Sequence, residues 1–235
     1  MGSETPRRRF LGSVVATAAA AGLPLAVAEE LGAEASSPDA WLSEVKGSHR
    51  CLFDFPQHRN AWPLLHIMNY LNTYSGVYKT APGQVGAVGT FYGMGSACSI
   101  PMGLNDAMWT KYELSAYLGL KDAGGKPYTR NVFARPTKED AHLLWEGIQA
   151  PPIPAMAGAM PALGVESLQK MGTKFLLCAN ALGGWCHELE ARKKGNAEAL
   201  EKDFRANLVA GVTIVPAMVI AIEKAQEAGI RYNRQ

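Results

Sequence analysis

The sequence has little charge and lacks the motifs of several large enzyme classes. Charged residues make up 19% of its 235 residues. It contains no G-x-S-x-G nucleophile elbow, no phosphate-binding loop ending in Gly-Lys-Ser/Thr and no G-x-G-x-x-G dinucleotide fingerprint. The isolated Gly93-x-Gly95 is too short to indicate nucleotide binding. The sequence therefore gives no support to membership of the serine hydrolases with a nucleophile elbow, the P-loop enzymes or the dinucleotide-dependent enzymes.

Cysteine is scarce, and its spacing excludes the common metal motifs. The four cysteines are Cys51, Cys98, Cys178 and Cys186, and no two of them form a C-x2-C pair. Cys186-His187 is not a haem-attachment motif, because no cysteine lies three residues earlier. The sequence therefore predicts no metal site and no cofactor. An even number of cysteines still permits disulfides in an oxidising compartment, and four cysteines allow three full pairings.

The amino terminus has the pattern of an export signal. Arg7-Arg8-Arg9-Phe10-Leu11 is followed by an alanine-rich uncharged run that ends in the small-x-small sequence Ala26-Val27-Ala28. The paired arginines and the mild hydrophobicity favour a twin-arginine signal over residues 1–28, and an ordinary secretory signal is the alternative. We therefore expect a periplasmic protein, although an uncleaved anchor is also compatible with the pattern.

Removing this signal changes the charge of the protein. Three of the 23 basic residues and one of the 21 acidic residues lie in residues 1–28, so 20 of each sign remain. A neutral chain gives no support to binding of nucleic acid or of an anionic membrane surface. We also expect no membrane span once the signal is cleaved, because the apolar run is short of about 20 strongly apolar residues.

The order of predicted elements indicates an α/β fold. Residues 29–47 are rich in Ala, Glu, Ser and Gly and are predicted to be a flexible linker, with the folded domain over residues 48–235. Short apolar runs predict strands at 49–54, 84–92, 173–178, 212–215 and 230–233, and helical periodicity separates them. This alternation predicts a three-layer α/β/α domain whose mainly parallel sheet has about five strands.

The middle of the domain departs from this alternation. Residues 121–162 form a long polar and proline-rich connection, and the proline-rich sequence at 150–161 is predicted to lack regular structure.

Ligands of parallel sheets bind beyond the carboxyl ends of the strands, which predicts where the site lies. Asp54, His58 and Arg59 follow the first strand, and Asn180 follows the third. Asn105 or Asp106 is predicted to cap a helix that runs to Gly119, and Asn105 is also a candidate ligand-binding residue. Arg59 is suited to accept an oxyanion of sulfur or a carboxylate, although solvation and capping explain these polar residues equally well.

Cys178 is the predicted reactive residue, because a strand there meets the amino terminus of a helix. Such a position favours a thiolate, but an inert buried cysteine is the alternative. Cys186 and His187 lie about two helical turns further on, so a Cys178–Cys186 redox pair requires a non-helical first turn. Cys98 lies between Met94 and Met102, which are soft ligands of the kind Cu(I) prefers, but core packing is the favoured interpretation.

Two segments resemble the DsrE/DsrF family of small α/β proteins. The first is Gly172-x5-Cys178-x2-Ala181 between two helices, and the second runs from Val212-Thr-Ile-Val-Pro216 to Ile230-Arg-Tyr232. The resemblance is good over residues 163–235 and loose over 49–120, with 121–162 as an insertion.

The resemblance implies a persulfide on Cys178, sulfur relay to a small sulfur species or a thiol partner protein, and homo-oligomers that are often trimer-based. The chain departs from the family in its export signal and in Gly183-Gly184-Trp185-Cys186, where basic residues are common. The alternative function is a non-catalytic protein that binds a ligand or assembles through the same fold.

Overall fold

A computed structural model describes residues 37–150 and 153–235, and residues 38–235 form one compact unit. Five parallel strands make up its sheet: β1 His49–Asp54, β2 Val85–Phe91, β3 Thr173–Cys178, β4 Thr213–Val215 and β5 Arg231–Arg234. Their order across the sheet is β4-β3-β2-β1-β5. The predicted strands and the parallel α/β/α architecture are thus confirmed. The predicted signal at residues 1–28 lies outside the described residues.

The described α-helices are numbered here in chain order. They are α1 Trp62–Gly76, α2 Asp106–Lys111, α3 Leu114–Leu118, α4 Pro154–Leu163, α5 Val165–Lys170, α6 Ala179–Ala191, α7 Ala197–Ala206 and α8 Met218–Glu227. Short 3-10 helices cover Ala40–Glu44, Arg59–Ala61, Ile100–Gly103 and Lys138–Trp145. None of the helices in the described ranges combines the length and the hydrophobicity needed to cross a membrane.

Alternate residues of the central strands enter two separate cores, because successive side chains point to opposite faces of a sheet. Phe53, Phe91 and Phe175 belong to the large core, which most of the helices cover. Leu52 and Leu176 belong to a small core on the other face. In the described part of the chain, α8 and the 3-10 helix Ala40–Glu44 cover this thinner face.

The close contact between β2 and β3 depends on a glycine. A Cβ at Gly89 would lie 2.4 Å from the ring of Phe175, so only glycine leaves room for that ring. Phe175 in turn stacks on Phe91 with ring centroids 5.1 Å apart.

The predicted linker boundary at residue 47 is wrong. Trp41 and Val45 are buried in the small core, and Glu44 forms an ion pair with Lys174 of β3, with Oε2 and Nζ 2.6 Å apart. Trp41 lies in the 3-10 helix Ala40–Glu44, and Val45 is the extended residue that directly follows this helix. The packed domain therefore begins at Pro38, and residues 29–36 of the predicted linker lie outside the description.

The proline-rich segment also differs from its prediction, because α4 occupies most of it. Pro154 lies in the first turn of α4, where a missing N–H leaves no helical hydrogen bond unmade. Pro161 lies inside the helix, which ends two residues later at Leu163. The insertion also contributes Phe133 and Leu144 to the large core, so it is a packed part of the domain.

The helix predicted from Asn105 to Gly119 is broken in two. Asn105 caps α2 as expected, with its side-chain oxygen accepting a hydrogen bond from the Met108 N–H. The break falls at Glu113, whose φ of 51° is left-handed and incompatible with a continuous helix. Gly119 ends α3 with a φ of 74°, as the sequence predicted.

Candidate functional site

Cys178 ends β3 and caps α6, and its sulfur receives two backbone hydrogen bonds. The Ala181 N–H of α6 donates to Sγ at 3.4 Å, and the Met218 N–H of α8 donates at 3.3 Å. The amino termini of two helices, 13 and 10 residues long, thus meet at one sulfur atom. Partial positive charge collects at such termini. The arrangement is therefore suited to hold the negative charge of a thiolate.

The other three cysteines lie in a different environment. Cys51, Cys98 and Cys186 belong to the large core, whereas Cys178 belongs to the small core. Burial raises the pKa of Cys51 to about 11 and the pKa values of Cys98 and Cys186 to about 12. These thiols remain protonated at neutral pH, and a protonated thiol is a poor nucleophile.

The structure contradicts a direct Cys178–Cys186 pair. All four cysteines are free, and α6 is helical from Ala179 onward, so the non-helical first turn that the pair requires is absent. Cys186 lies on the side of α6 that faces the large core. His187 projects into solvent, with its side chain 75% exposed and its Nδ1 3.6 Å from Glu190 Oε2.

Asp54 lies at the carboxyl end of β1, as Cys178 does at the end of β3, and on the same face of the sheet. It is the centre of a second polar cluster. It is 5% exposed, and its carboxylate accepts hydrogen bonds from the Tyr92 hydroxyl at 2.8 Å and the Tyr232 hydroxyl at 2.7 Å. The Thr90 hydroxyl approaches it at 3.4 Å. Burial, and after it the hydrogen bond to Asp54, raise the pKa of the Tyr92 phenol. Among residues 37–150 and 153–235, the hydrogen-bond donors to this buried carboxylate are three hydroxyl groups.

Tyr92 and Tyr232 were missed by sequence analysis, although one signal was available. Tyr92 directly follows β2, so it lies at the edge that the strand ends form, next to Asp54 at the end of β1. Tyr232 contacts Asp54 because β5 pairs with β1, and 178 residues separate the two partners. That long-range pairing has no local sequence signal.

His58 is a packing residue in this structure. It is 6% exposed, its ring contacts Phe133 with centroids 5.4 Å apart, and its Nδ1 accepts a hydrogen bond from the Asn60 N–H at 3.1 Å. Burial lowers its pKa from 6.5 to about 4, although a hydrogen bond to the Ser96 backbone opposes the shift. His58 is therefore neutral and enclosed at neutral pH.

Arg59 lies in a strained turn directly after His58. Arg59, Asn60 and Ala61 have consecutive φ values of 40°, 51° and 72°, which is the left-handed region that residues with a Cβ avoid. Such strain often accompanies functional positions. The turn presents the Arg59 side chain to a surface groove between α1 and β5.

In the described part of the chain, the side chains of the remaining predicted ligand residues form no hydrogen bond to Cys178. Asn105 is a helix cap that also donates to Asn207 Oδ1 at 3.2 Å. Asn180 is exposed beside Cys178, and its backbone N–H donates to the Pro216 carbonyl oxygen at 3.3 Å. Cys98 is fully buried, whereas its neighbour Met94 is 55% exposed. Asp54 and Cys178 are thus the predicted residues that share one edge and one face.

Comparisons with known proteins yielded no match to a family model, to a curated protein or to a solved structure. In residues 37–150 and 153–235, no three His, Cys, Asp or Glu side chains form a group able to hold a metal ion.

Proposed function

We propose that this protein carries sulfur through Cys178, as a persulfide carrier or a thiol relay. The observation that supports the proposal is the pair of backbone N–H groups, from the amino termini of α6 and α8, that donate to the Cys178 sulfur. The raised pKa values of the other three thiols make Cys178 the best-placed nucleophile of the four.

The transfer step needs a persulfide donor, R–S–SH. The Cys178 thiolate attacks the outer sulfur of the donor, a new S–S bond forms at Cys178, and the donor S–S bond breaks. The donor thiolate R–S⁻ leaves and takes up the proton of the transferred S–SH group. Cys178 then bears a persulfide anion, and the donor has become an ordinary thiol. The two N–H groups beside Sγ are suited to stabilise the thiolate before the attack.

The proposal extends to family and location. The parallel sheet with Cys178 at the end of β3 is compatible with a DsrE-like protein, and the amino-terminal sequence supports export to the periplasm by the twin-arginine route. In an oxidising compartment, the burial of Cys178, which is 5% exposed, would slow its unwanted oxidation.

The experiment is mass spectrometry of the folded protein after incubation with glutathione persulfide. We expect one added sulfur atom on Cys178. The Cys178→Ser variant should take up none, and the Cys186→Ser variant, which removes a buried thiol, should load like the wild type. Uptake on another cysteine, or thiols that react with an alkylating probe only after denaturation, would refute the proposal.

An assembly protein is the second candidate, and exposed apolar residues support it. Val219 and Ile220 of α8 are 70% and 49% exposed on the thinly covered face of the sheet. Apolar side chains grouped on a surface often mark an interface. Sedimentation of the Val219→Asp, Ile220→Asp double variant tests this function. If the double variant sediments as a smaller particle than the wild type and takes up sulfur normally, assembly through α8 is supported. If the wild type and the variant both sediment as monomers, assembly through α8 is excluded.

A further inference from the structure

An open groove of about 570 Å³ lies between α1 and β5, and Cys178 does not contribute to it. Its lining includes Phe53 and Tyr70, which pack on the large-core side of the sheet. Cys178 ends β3, which lies two strands from β1 and three strands from β5, and it belongs to the small core. The volume falls within the range of roughly 300–1,000 Å³ that is usual for small-molecule sites. The groove is therefore a separate candidate site.

One wall of the groove is aromatic. Along α1 and the residues that follow it, aromatic rings recur every fourth residue, which places them in a row on one helix face. They are Trp62, His66, Tyr70, Tyr74 and Tyr78, and of these His66, Tyr70 and Tyr74 line the groove. The ring centroids of Tyr70 and Tyr74 are 5.0 Å apart, and Phe53 of β1 contacts Tyr70 at 5.4 Å. The wall offers flat apolar surface next to phenol hydroxyls.

The hydroxyls of Tyr70 and Tyr74 have no hydrogen-bond partner among residues 37–150 and 153–235. Burial, together with the nearby Cys51 and Tyr74, raises the pKa of Tyr70, so its phenol keeps its proton at neutral pH. Both phenols can therefore donate a hydrogen bond to a bound molecule.

The rest of the groove is positively charged and rich in amides. Arg59 lines it together with Asn69, Asn233 and Gln235, whereas the lining residue Arg234 is in register with Asp54 and directs its side chain to the opposite face of the sheet. No aspartate or glutamate is among the lining residues. Within the described part of the chain, Arg59 has no carboxylate within ion-pair distance. An unpaired guanidinium beside amide donors is suited to bind an anion.

We propose that this groove binds a small organic anion with a flat apolar body, of the class of aromatic carboxylates. Its carboxylate would pair with the Arg59 guanidinium, which matches the two oxygens of such a group. Its ring would pack against Tyr70 and Tyr74, in the offset or edge-on arrangements that aromatic pairs prefer. Arg59 lines the groove from the strained turn that directly precedes α1.

The test uses naphthalene-2-carboxylate as the probe and naphthalene-2-carboxamide as its neutral counterpart, with binding to the full chain measured by calorimetry. We expect the carboxylate to bind at least about tenfold more tightly than the amide. Inorganic phosphate should compete only weakly, because it has no apolar body. Equal affinity for the amide, equal affinity for phosphate, or no binding of the carboxylate would overturn the proposal.

Variants then locate the site. Arg59→Gln should weaken carboxylate binding by about tenfold or more. The matched control is Arg231→Gln, which removes an exposed β5 arginine that does not line the groove and should leave the affinity unchanged. Tyr74→Ala should weaken binding of the carboxylate and of the amide alike. Circular dichroism of each variant shows that it is folded. Equal affinities of the two arginine variants would refute the assignment.

Discussion

Acidification should destabilise this protein through one buried histidine. His58 is 6% exposed and packs against Phe133, and burial lowers its pKa from 6.5 to about 4. In the unfolded chain the imidazole takes up a proton as the pH falls through 6.5, but in the folded state it does so only near pH 4. Between these values the unfolded state binds more protons, so a fall in pH favours unfolding.

The size of the effect follows from the shift. Each pKa unit corresponds to about 1.4 kcal/mol, so His58 accounts for the loss of about 3 kcal/mol of unfolding free energy between pH 6.5 and pH 4. This contribution to stability is fully present above pH 6.5 and disappears progressively below it. A domain with about 5–15 kcal/mol of total stability would lose a substantial part of it.

Urea denaturation of the His58→Gln and His187→Gln variants across this pH range measures the contribution. Glutamine does not titrate, so the His58 variant should lose about 3 kcal/mol less than the wild type on acidification, whatever its stability at neutral pH. His187 is exposed, and its variant should follow the wild type. If all three proteins lose stability equally, His58 is not buried in its neutral form and the reasoning is wrong.

Two further predictions concern backbone space and the Asp54 cluster. In urea denaturation, Gly93→Ala should lower the free energy of unfolding by at least about 2 kcal/mol more than Gly95→Ala. Both glycines have positive φ, but only at Gly93 would an added Cβ meet backbone, at 2.3 Å. Equal losses of stability in the two variants would contradict this prediction and would show that the loop can shift to accommodate a Cβ at Gly93. In thermal unfolding, Tyr92→Phe should lower the free energy of unfolding by about 1.5–3 kcal/mol, because it removes a hydrogen-bond donor from the buried Asp54 carboxylate. Tyr232→Phe should lower it by less, because Tyr232 is 42% exposed. A larger loss for Tyr232→Phe would contradict this order.

The sheet could be predicted because its strands carry strong local signals. Apolar runs such as Thr173–Cys178 are buried on both faces, and helices that alternate with such runs favour parallel pairing. The failures lie where tertiary packing overrides local preference. Glu113 breaks a periodic helix, and Trp41 draws a linker-like segment onto the sheet.

The candidate site could be predicted in part, for a similar reason. The position of Cys178 at a strand end follows from the local sequence, as does its role as a helix cap. The second hydrogen bond to its sulfur comes from Met218, 40 residues away, and depends on how α8 packs. The Asp54–Tyr232 contact likewise depends on the pairing of β1 with β5. Such contacts are set by topology, which the local pattern does not encode.

The sheet also separates Cys178 from the other three thiols of the chain. Cys178 lies on one side of it, and Cys51, Cys98 and Cys186 lie on the other. A disulfide requires its two Cα atoms within about 7 Å and side chains that point toward each other, which opposite faces of a sheet do not allow. An oxidised or sulfur-loaded Cys178 therefore has no internal thiol that could discharge it. A sulfur atom held on Cys178 could therefore leave only by transfer to another molecule. The lifetime of the loaded state would be set by the rate of encounter with that acceptor.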